Sequence, residues 1–219
     1  EELHWVGAPM TALSRDIVKN SNVNTQLNKI PSVGVNWLFI NTEVFPLNNK
    51  YLRKALALAI NRQEIVNHLL QTGEEPATGI LGSSLQLQDQ PIFEDGNVDL
   101  AKKYFEKALD ELGITKEDLP KIKINCRKGN EVLRYVQVIQ DQWYQSLGLN
   151  VDIQQVEWGT LLRDFKEGYF QIGEIGWVSW INDPIYMLQT FRKRSLNVNY
   201  SHWENPTYKI YLDQSDYEI

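Results

Sequence analysis

Gly176-Trp177-Val178-Ser179-Trp180-Ile181-Asn182-Asp183-Pro184 is the stretch on which the reading of this chain turns. Just before it, Tyr169-Phe170-Gln171-Ile172-Gly173-Glu174-Ile175 carries the alternation of a strand. Just after it, Asp183 is placed to cap a helix whose first residue is Pro184. Two tryptophans are therefore expected where a strand ends and a helix begins. In open α/β sheets, ligands gather at the carboxyl ends of strands. An indole there offers a large flat apolar face and one hydrogen-bond donor. The competing reading of Trp177 and Trp180 is plain core filling.

Upstream, the same alternation of elements recurs. A short helix over 159–166 ends at Gly168, after an alternating run at 149–156. Before that, 131–147 places Val132, Val136, Ile139, Trp143 and Leu147 in one helical stripe, with Gly148 as its stop. A strand is expected at 121–126, with Ile122, Ile124 and Cys126 on one side. A helix over 98–112 is capped by Asn97, shows Leu100, Tyr104, Ala108 and Leu112 on one face, and stops at Gly113. Strand and helix taking turns in this way imply an α/β layer around a central sheet.

The first half is less regular. Short strands are expected at 3–6 and 23–30, a helix at 11–18, and a buried strand at 34–40. Helices follow at 51–60 and 62–71, the second opened by Asn61 with Glu64 in a capping arrangement. Residues 74–96 form a long loop, of the kind that is functional or pinned by packing.

Composition removes several classes. A net charge of −6 gives no nucleic-acid footprint. The short basic runs Lys102-Lys103 and Arg192-Lys193-Arg194 read as solvated faces. There is no apolar run approaching about 18 residues, the length of a membrane span. The opening Glu1-Glu2-Leu3-His4-Trp5 lacks the basic region and apolar core of a signal peptide. The single cysteine, Cys126, excludes an internal disulfide, and inside a strand it reads as a buried thiol. His4, His68 and His202 are scattered without metal-ligand spacing, and no nucleophile elbow, Walker loop or G-x-G-x-x-G occurs, so neither metal nor cofactor is implied. The carboxylates nearest the tryptophans are Glu157, beside Trp158, and Glu174. In a strand near the indoles, Glu174 would favour a cationic group on a ligand.

Several stretches resemble the peptide-binding class of bacterial extracellular solute-binding proteins, the receptors of oligopeptide and dipeptide ABC importers. They are Asn41-Thr42, Pro46-Leu47-Asn48-Asn49, the run from Leu52 to Arg62, Pro76-Ala77-Thr78-Gly79, Trp143 with Leu147-Gly148-Leu149-Asn150-Val151, and Val156-Glu157-Trp158. Gly168-Tyr169-Phe170, Gly176-Trp177, Asn182-Asp183-Pro184 and Asn205-Pro206-Thr207-Tyr208 complete the ordered set. Asn49 stands where the family pattern has an aspartate.

The resemblance implies a periplasmic-binding-protein-like lobe, with a central mixed sheet flanked by helices. Residues 1–219 would be a single lobe, the C-terminal half of a two-lobe receptor truncated at both ends. It implies capture without chemistry: the lobes close over an extended peptide, and the closed receptor docks on a membrane permease. The place would be the periplasm or the outer face of the membrane, with a lipid anchor in the longer chain as an option. By position, Trp158 and Trp177 match tryptophans that line the cleft, and Val178, Ser179 and Trp180 match the segment beside the peptide backbone, with Asn182 just beyond. Trp180 holds the place of an aspartate that meets the peptide ammonium, while Phe165 and Glu174 hold the places of basic residues serving ligand carboxylates. A peptide in the usual frame loses those anchors. Another register, or a modified peptide, murein peptide, sugar or metal chelate, is the alternative.

Two readings from other classes stand beside this one. A hydrolase using Glu157 and Glu174 requires the carboxyls to face each other at about 5–9.5 Å. An interaction module requires a contiguous exposed apolar patch above about 400 Å² away from the cleft.

Overall fold

The computed structural model describes residues 15–19, 27, 33–85, 87, 90–195 and 197–217. The strands expected at 3–6 and 23–30 lie outside the described residues, apart from Leu27, as does the first part of the helix at 11–18. Its described portion is α1 (Arg15–Lys19).

After β1 (Gly34–Ile40) comes α2 (Lys50–Leu58), capped by Asn49, whose side chain accepts from the amides of Tyr51 and Leu52. An asparagine oxygen meets helix-end amides as an aspartate does, so the departure at Asn49 leaves the cap intact. Asn61 caps α3 (Arg62–Glu64). The expected helix to residue 71 does not continue in α form. It widens into a π-helical turn, Ile65–Leu70, closed by the Gln71 N–H on the Val66 carbonyl with Gln71 at φ 57°.

The loop that follows is pinned. The Asp95 carboxylate accepts from the amides of Arg62 and Gln63 and pairs with the Arg62 guanidinium at 2.9 Å, and Leu85 is buried in a short 3₁₀ turn, Ser83–Leu85. α4 (Val98–Leu112) has its predicted cap Asn97 and its stop at Gly113, φ 67°. Its buried face is Ala101, Phe105 and Ala108; Leu100 and Tyr104 flank the core instead of filling it. The alanines let the α4 backbone lie close to α2, where Ala55 is equally buried, and Tyr104 stacks on Tyr51 at the rim, 5.6 Å between ring centres.

The second half wraps the sheet. β2 (Ile122–Arg127), β3 (Val151–Val156) and β4 (Ile172–Val178) alternate with α5 (Asn130–Leu147) and α6 (Trp158–Glu167). Strand order is β1-β4-β2-β3, with β2 parallel to both β3 and β4 and β1 antiparallel to β4. The expected mixed central sheet is thus present.

Strand alternation then divides two cores. Ile122, Ile124, Val151 and Ile172 meet the whole predicted stripe of α5 together with α2 and α4. On the other face Phe39 and Ile175 meet Leu161 and Phe165 of α6 and Tyr200. Trp143 is 1% exposed, and its indole N–H donates to the Leu56 carbonyl at 2.8 Å, fastening α5 to α2.

One boundary shifts in a way that matters. The strand expected at 169–175 is displaced to Ile172–Val178, so Trp177 and Val178 lie within β4 rather than after it. The Asn41 side chain donates to the carbonyls of Gly168 and Phe170, and the Asn41 amide donates to Gln171, holding that segment outside the ladder. The chain then closes with α7 (Pro184–Leu188), capped by Asp183 as predicted, a 3₁₀ turn at Gln189–Phe191, and α8 (Pro206–Ser215) capped by Asn205. Arg192 is not a solvated cation: it bonds the Leu212 carbonyl and Asp216 of α8.

Gly173 is a test of the α6 face. A Cβ there would sit 2.3 Å and 2.4 Å from ring atoms of Phe165. Gly173→Ala is expected to lower stability by about 1–3 kcal/mol, as overpacking does, read as a fall in the urea midpoint at unchanged slope.

Candidate functional site

Three strands end on one edge of the sheet. β4 delivers Val178-Ser179-Trp180, β2 delivers Arg127-Lys128, and β3 delivers Glu157-Trp158. With β2 between them, β4 and β3 lie about 10 Å apart.

The β4 end is shaped by Ser179. Its amide donates to the Val33 carbonyl at 2.9 Å, the last bond between the β4 and β1 segments. Its hydroxyl donates to the Ile181 carbonyl at 2.5 Å and accepts from the Ile181 amide. This tight turn buries Ser179 and throws its neighbours outward: Val178, Trp180 and Ile181 are exposed, Trp180 at 86%. Asn182 is also exposed, beside the α7 cap. Trp158, the first residue of α6, is half exposed.

Trp177 points to the α6 face, half-buried. It stacks on Trp37, 5.6 Å between ring centres and 14° between planes, with edges against Phe39 and Tyr200. The Trp37 indole N–H reaches the Ile80 carbonyl, so the pinned loop braces this stack. The Trp177 Nε1 is buried with no hydrogen-bond partner among the described residues.

Two of the expected site residues are not at the edge surface. Phe165 is fully buried, its ring filling the space that Gly173 leaves. There it supports the sheet from the α6 side, away from the exposed Val178 and Trp180. Glu174 is 1% exposed and faces α5, opposite to Trp177 because successive strand residues alternate faces. It accepts a hydrogen bond from the Tyr135 hydroxyl, while its Oε2 has no partner among the described residues. Burial pushes the Glu174 carboxyl above its ordinary range, opposed by the Tyr135 bond and by the Arg127 charge. Burial, and then the Glu174 charge, push the Tyr135 hydroxyl far up and the Cys126 thiol up to about 11. An inert thiol inside β2 matches the sequence reading of Cys126.

The carboxylate pair also dissolves. Glu157 is largely exposed and bonds Lys128 at 2.7 Å, whereas Glu174 is held in the core by Tyr135. Sequence reasoning missed Arg127, an exposed cation on the same edge. The signal was available: a basic pair closing a strand just before Gly129 and a long helix. Among the described residues no cluster of three or more His, Cys, Asp or Glu could hold a metal. The edge therefore offers apolar and aromatic contact, main-chain polar groups and one exposed guanidinium.

Comparison with known proteins places this arrangement. A family model described as "Bacterial extracellular solute-binding proteins, family 5 Middle" matches residues 2–197. The chain belongs to this family. Among the curated relatives of this family 5 chain, the oligopeptide-binding protein OppA of Bacillus subtilis (strain 168) is 35% identical over 221 residues, covering 99% of the chain and 41% of that protein. The dipeptide-binding protein DppE of the same organism is 28% identical, covering 94% and 38%. The chain thus spans about two-fifths of the length of these relatives.

Among solved structures, the unliganded open form of the murein tripeptide-binding protein MppA superposes with TM-score 0.81 at 21% identity, over 94% of this chain and 40% of that one. A peptide-binding protein of a peptide ABC transporter gives 0.72 at 20% identity, over 85% and 86%. At these identities the likeness establishes the fold. Family 5 is a class of solute-binding proteins and not of enzymes.

Two measurements probe the family 5 chain's buried pair. Tyr135→Phe leaves a Glu174 oxygen unsatisfied and is expected to cost about 1–3 kcal/mol, read by urea unfolding. Glu174 holds its proton in the folded state above the carboxyl's ordinary value of 4.5. As pH rises past that value, the unfolded chain releases the proton first, so wild-type stability falls until the folded group ionises too. Glu174→Gln lacks this loss. Its stability relative to wild type is expected to improve as pH rises through and above 4.5; a constant difference between the two unfolding curves would show that the Glu174 carboxyl is not raised.

Proposed function

We propose that this chain is one lobe of a bacterial solute receptor that captures peptides in a cleft completed by a second lobe of the same protein and delivers them to an ABC permease. The working place is the periplasm or the outer face of the membrane; the Salmonella typhimurium and Escherichia coli relatives are named as periplasmic oligopeptide-binding proteins. The observation that carries the reading is the segment around buried Ser179, which throws Val178 and Trp180 outward where the β4–β1 ladder stops. An extended peptide laid along it gains main-chain bonds for affinity and side-chain contacts for selection. Trp158, Trp177 and Asn182 frame the same edge. Phe165 and Glu174 serve it from within, by fixing the two faces of β4.

The charge pattern of the edge then describes the ligand. Trp180 offers an indole face where an acidic anchor would hold an ammonium. Arg127 supplies a fork suited to a carboxylate. A peptide held chiefly by stacking and by its carboxyl end fits this edge, in a register different from one anchored by an acid. A murein peptide or another small ligand is the outcome to compare.

The test is a thermal-shift and calorimetric survey of the full-length receptor against short peptides, murein peptides and simple sugars. Saturable stabilisation by peptides is expected; no response to any peptide would sink the peptide assignment. Trp180→Ala, at so exposed a position, is expected to change stability by no more than about 0.5 kcal/mol while lowering peptide affinity about tenfold or more.

A further inference from the structure

The end of β4 away from the tryptophans carries a different chemistry. A cavity of about 520 Å³ opens there, between the last turn of α6, the loop at 192–204 and the start of α8. Its wall holds Lys166, Lys193, Arg194 and Lys209, together with His202, against one acidic lining residue, Glu204. Glu43 stands beside it, paired with Arg194 and with His202. Four cations therefore face two carboxylates, in a chain whose net charge is −6. Gathering cations in a concave wall focuses positive potential where an anion would enter.

The wall is braced. Asn199, 1% exposed, donates to the carbonyls of Lys193 at 3.1 Å and Trp203 at 2.8 Å, and accepts from the Ser201 hydroxyl. The Ser201 carbonyl is held by both the amide and the hydroxyl of Thr42, at 3.0 Å and 2.9 Å. The next residue, His202, keeps φ at 54°, a left-handed conformation that surrounding structure must enforce in a residue with a side chain. Lys166, Lys193 and Lys209 make no ion pair among the described residues, although they share one cavity.

The donor set selects among anions. A planar carboxylate is best met by a guanidinium fork, and the fork of Arg194 is already turned to Glu43. What remains is three ammonium groups, each a mobile point charge with three donors. They suit a compact oxyanion with several charges and many acceptor oxygens, which describes a phosphate group. The cavity lies in the range of about 300–1,000 Å³ typical of small-molecule sites, so it has room for the organic part of a phosphate ester. The aromatic layer stands between it and the Trp180 edge: Tyr200, which lines the cavity, meets the Trp177 ring edge-on at 6.4 Å between ring centres.

We propose that this cavity is a second, anion-binding site that takes a phosphate group, carried either by a soluble phosphorylated molecule or by a lipid headgroup. It works independently of the peptide edge.

The experiment titrates inorganic pyrophosphate into the chain at about 0.15 M salt, where screening confines the interaction to close charges. Saturable binding is expected, with backbone NMR shifts centred on Ser195, Asn199 and Tyr200. The double variant Lys193→Gln/Lys209→Gln should weaken it about tenfold or more. Lys102→Gln/Lys103→Gln removes the same charge from exposed α4 positions and should change it less than about twofold. Both variants are first checked for an unchanged melting curve.

A parallel arm floats the chain with vesicles of phosphatidylglycerol or of phosphatidylcholine. Retention by phosphatidylglycerol alone, abolished in the cavity variant, identifies the headgroup as the source. Pyrophosphate binding without vesicle retention identifies a soluble phosphate. Absence of both, equal loss in the two double variants, or shifts centred elsewhere overturns the proposal. Peptide binding by the full-length receptor is unaffected by the cavity variant in every supporting case.

Discussion

The buried amide of Asn41 fixes the frame on which both ends of this sheet depend. Sitting just past β1, it satisfies the carbonyls of Gly168 and Phe170 with its two donors, and its oxygen accepts from the amide of Glu43. The start of β4 can then pair only in the register that sets Ile40 opposite Ile172 and Gly34 opposite Val178. A slip of one residue in a sheet covered on both faces would exchange every side chain between them. Trp177 would leave its stack on Trp37 for the α5 core, and Glu174 would enter the aromatic layer. Asn41 thereby links the position of the aromatic edge to that of the basic cavity, since the same turn region receives Ser201 through Thr42.

Much of this was legible in the sequence because it is local. Asn61, Asn97 and Asp183 cap helices through bonds to residues two or three positions on. Gly113, Gly148 and Gly168 end helices with positive φ. The α5 stripe needed only its own spacing. What the sequence withheld depends on distant partners. Nothing within 169–178 distinguishes two possible frames for the strand; the deciding contacts come from Asn41, 127 and 129 positions away. Phe165 looked like a lining residue by position alone, and only the missing side chain of Gly173 makes room for its ring inside. The hydroxyl that meets Glu174 lies on α5, 39 positions earlier, so the alternation could place Glu174 in a strand but not reveal that its carboxyl is buried and raised.

The two faces of β4 are built to different rules. Toward α5 the packing is mostly aliphatic, with Phe105 and Trp143 as its buried rings, and the one carboxyl buried there among the described residues is held by a tyrosine. Toward α6 the layer is aromatic: Trp37, Phe39, Phe165, Phe170, Trp177, Phe191 and Tyr200 meet in stacked, tilted and edge-to-face pairs. Flat rigid rings lose little rotational freedom on ordering, which suits a layer that reaches the surface at the strand ends. The exposed tryptophan at that edge continues a surface whose base is already rigid.

The Trp37–Trp177 stack also has an optical consequence. Two indoles stacked at this separation couple their electronic transitions, most strongly through the intense far-ultraviolet band, so their circular dichroism differs from that of isolated tryptophans. Trp180, bathed in water, instead emits like a solvated indole. Among its seven tryptophans the chain therefore holds indoles of different character, a stacked pair inside the aromatic layer and the solvent-facing Trp158 and Trp180 outside it. Events at the exposed indoles and rearrangements of the layer both leave optical traces in the unlabelled protein.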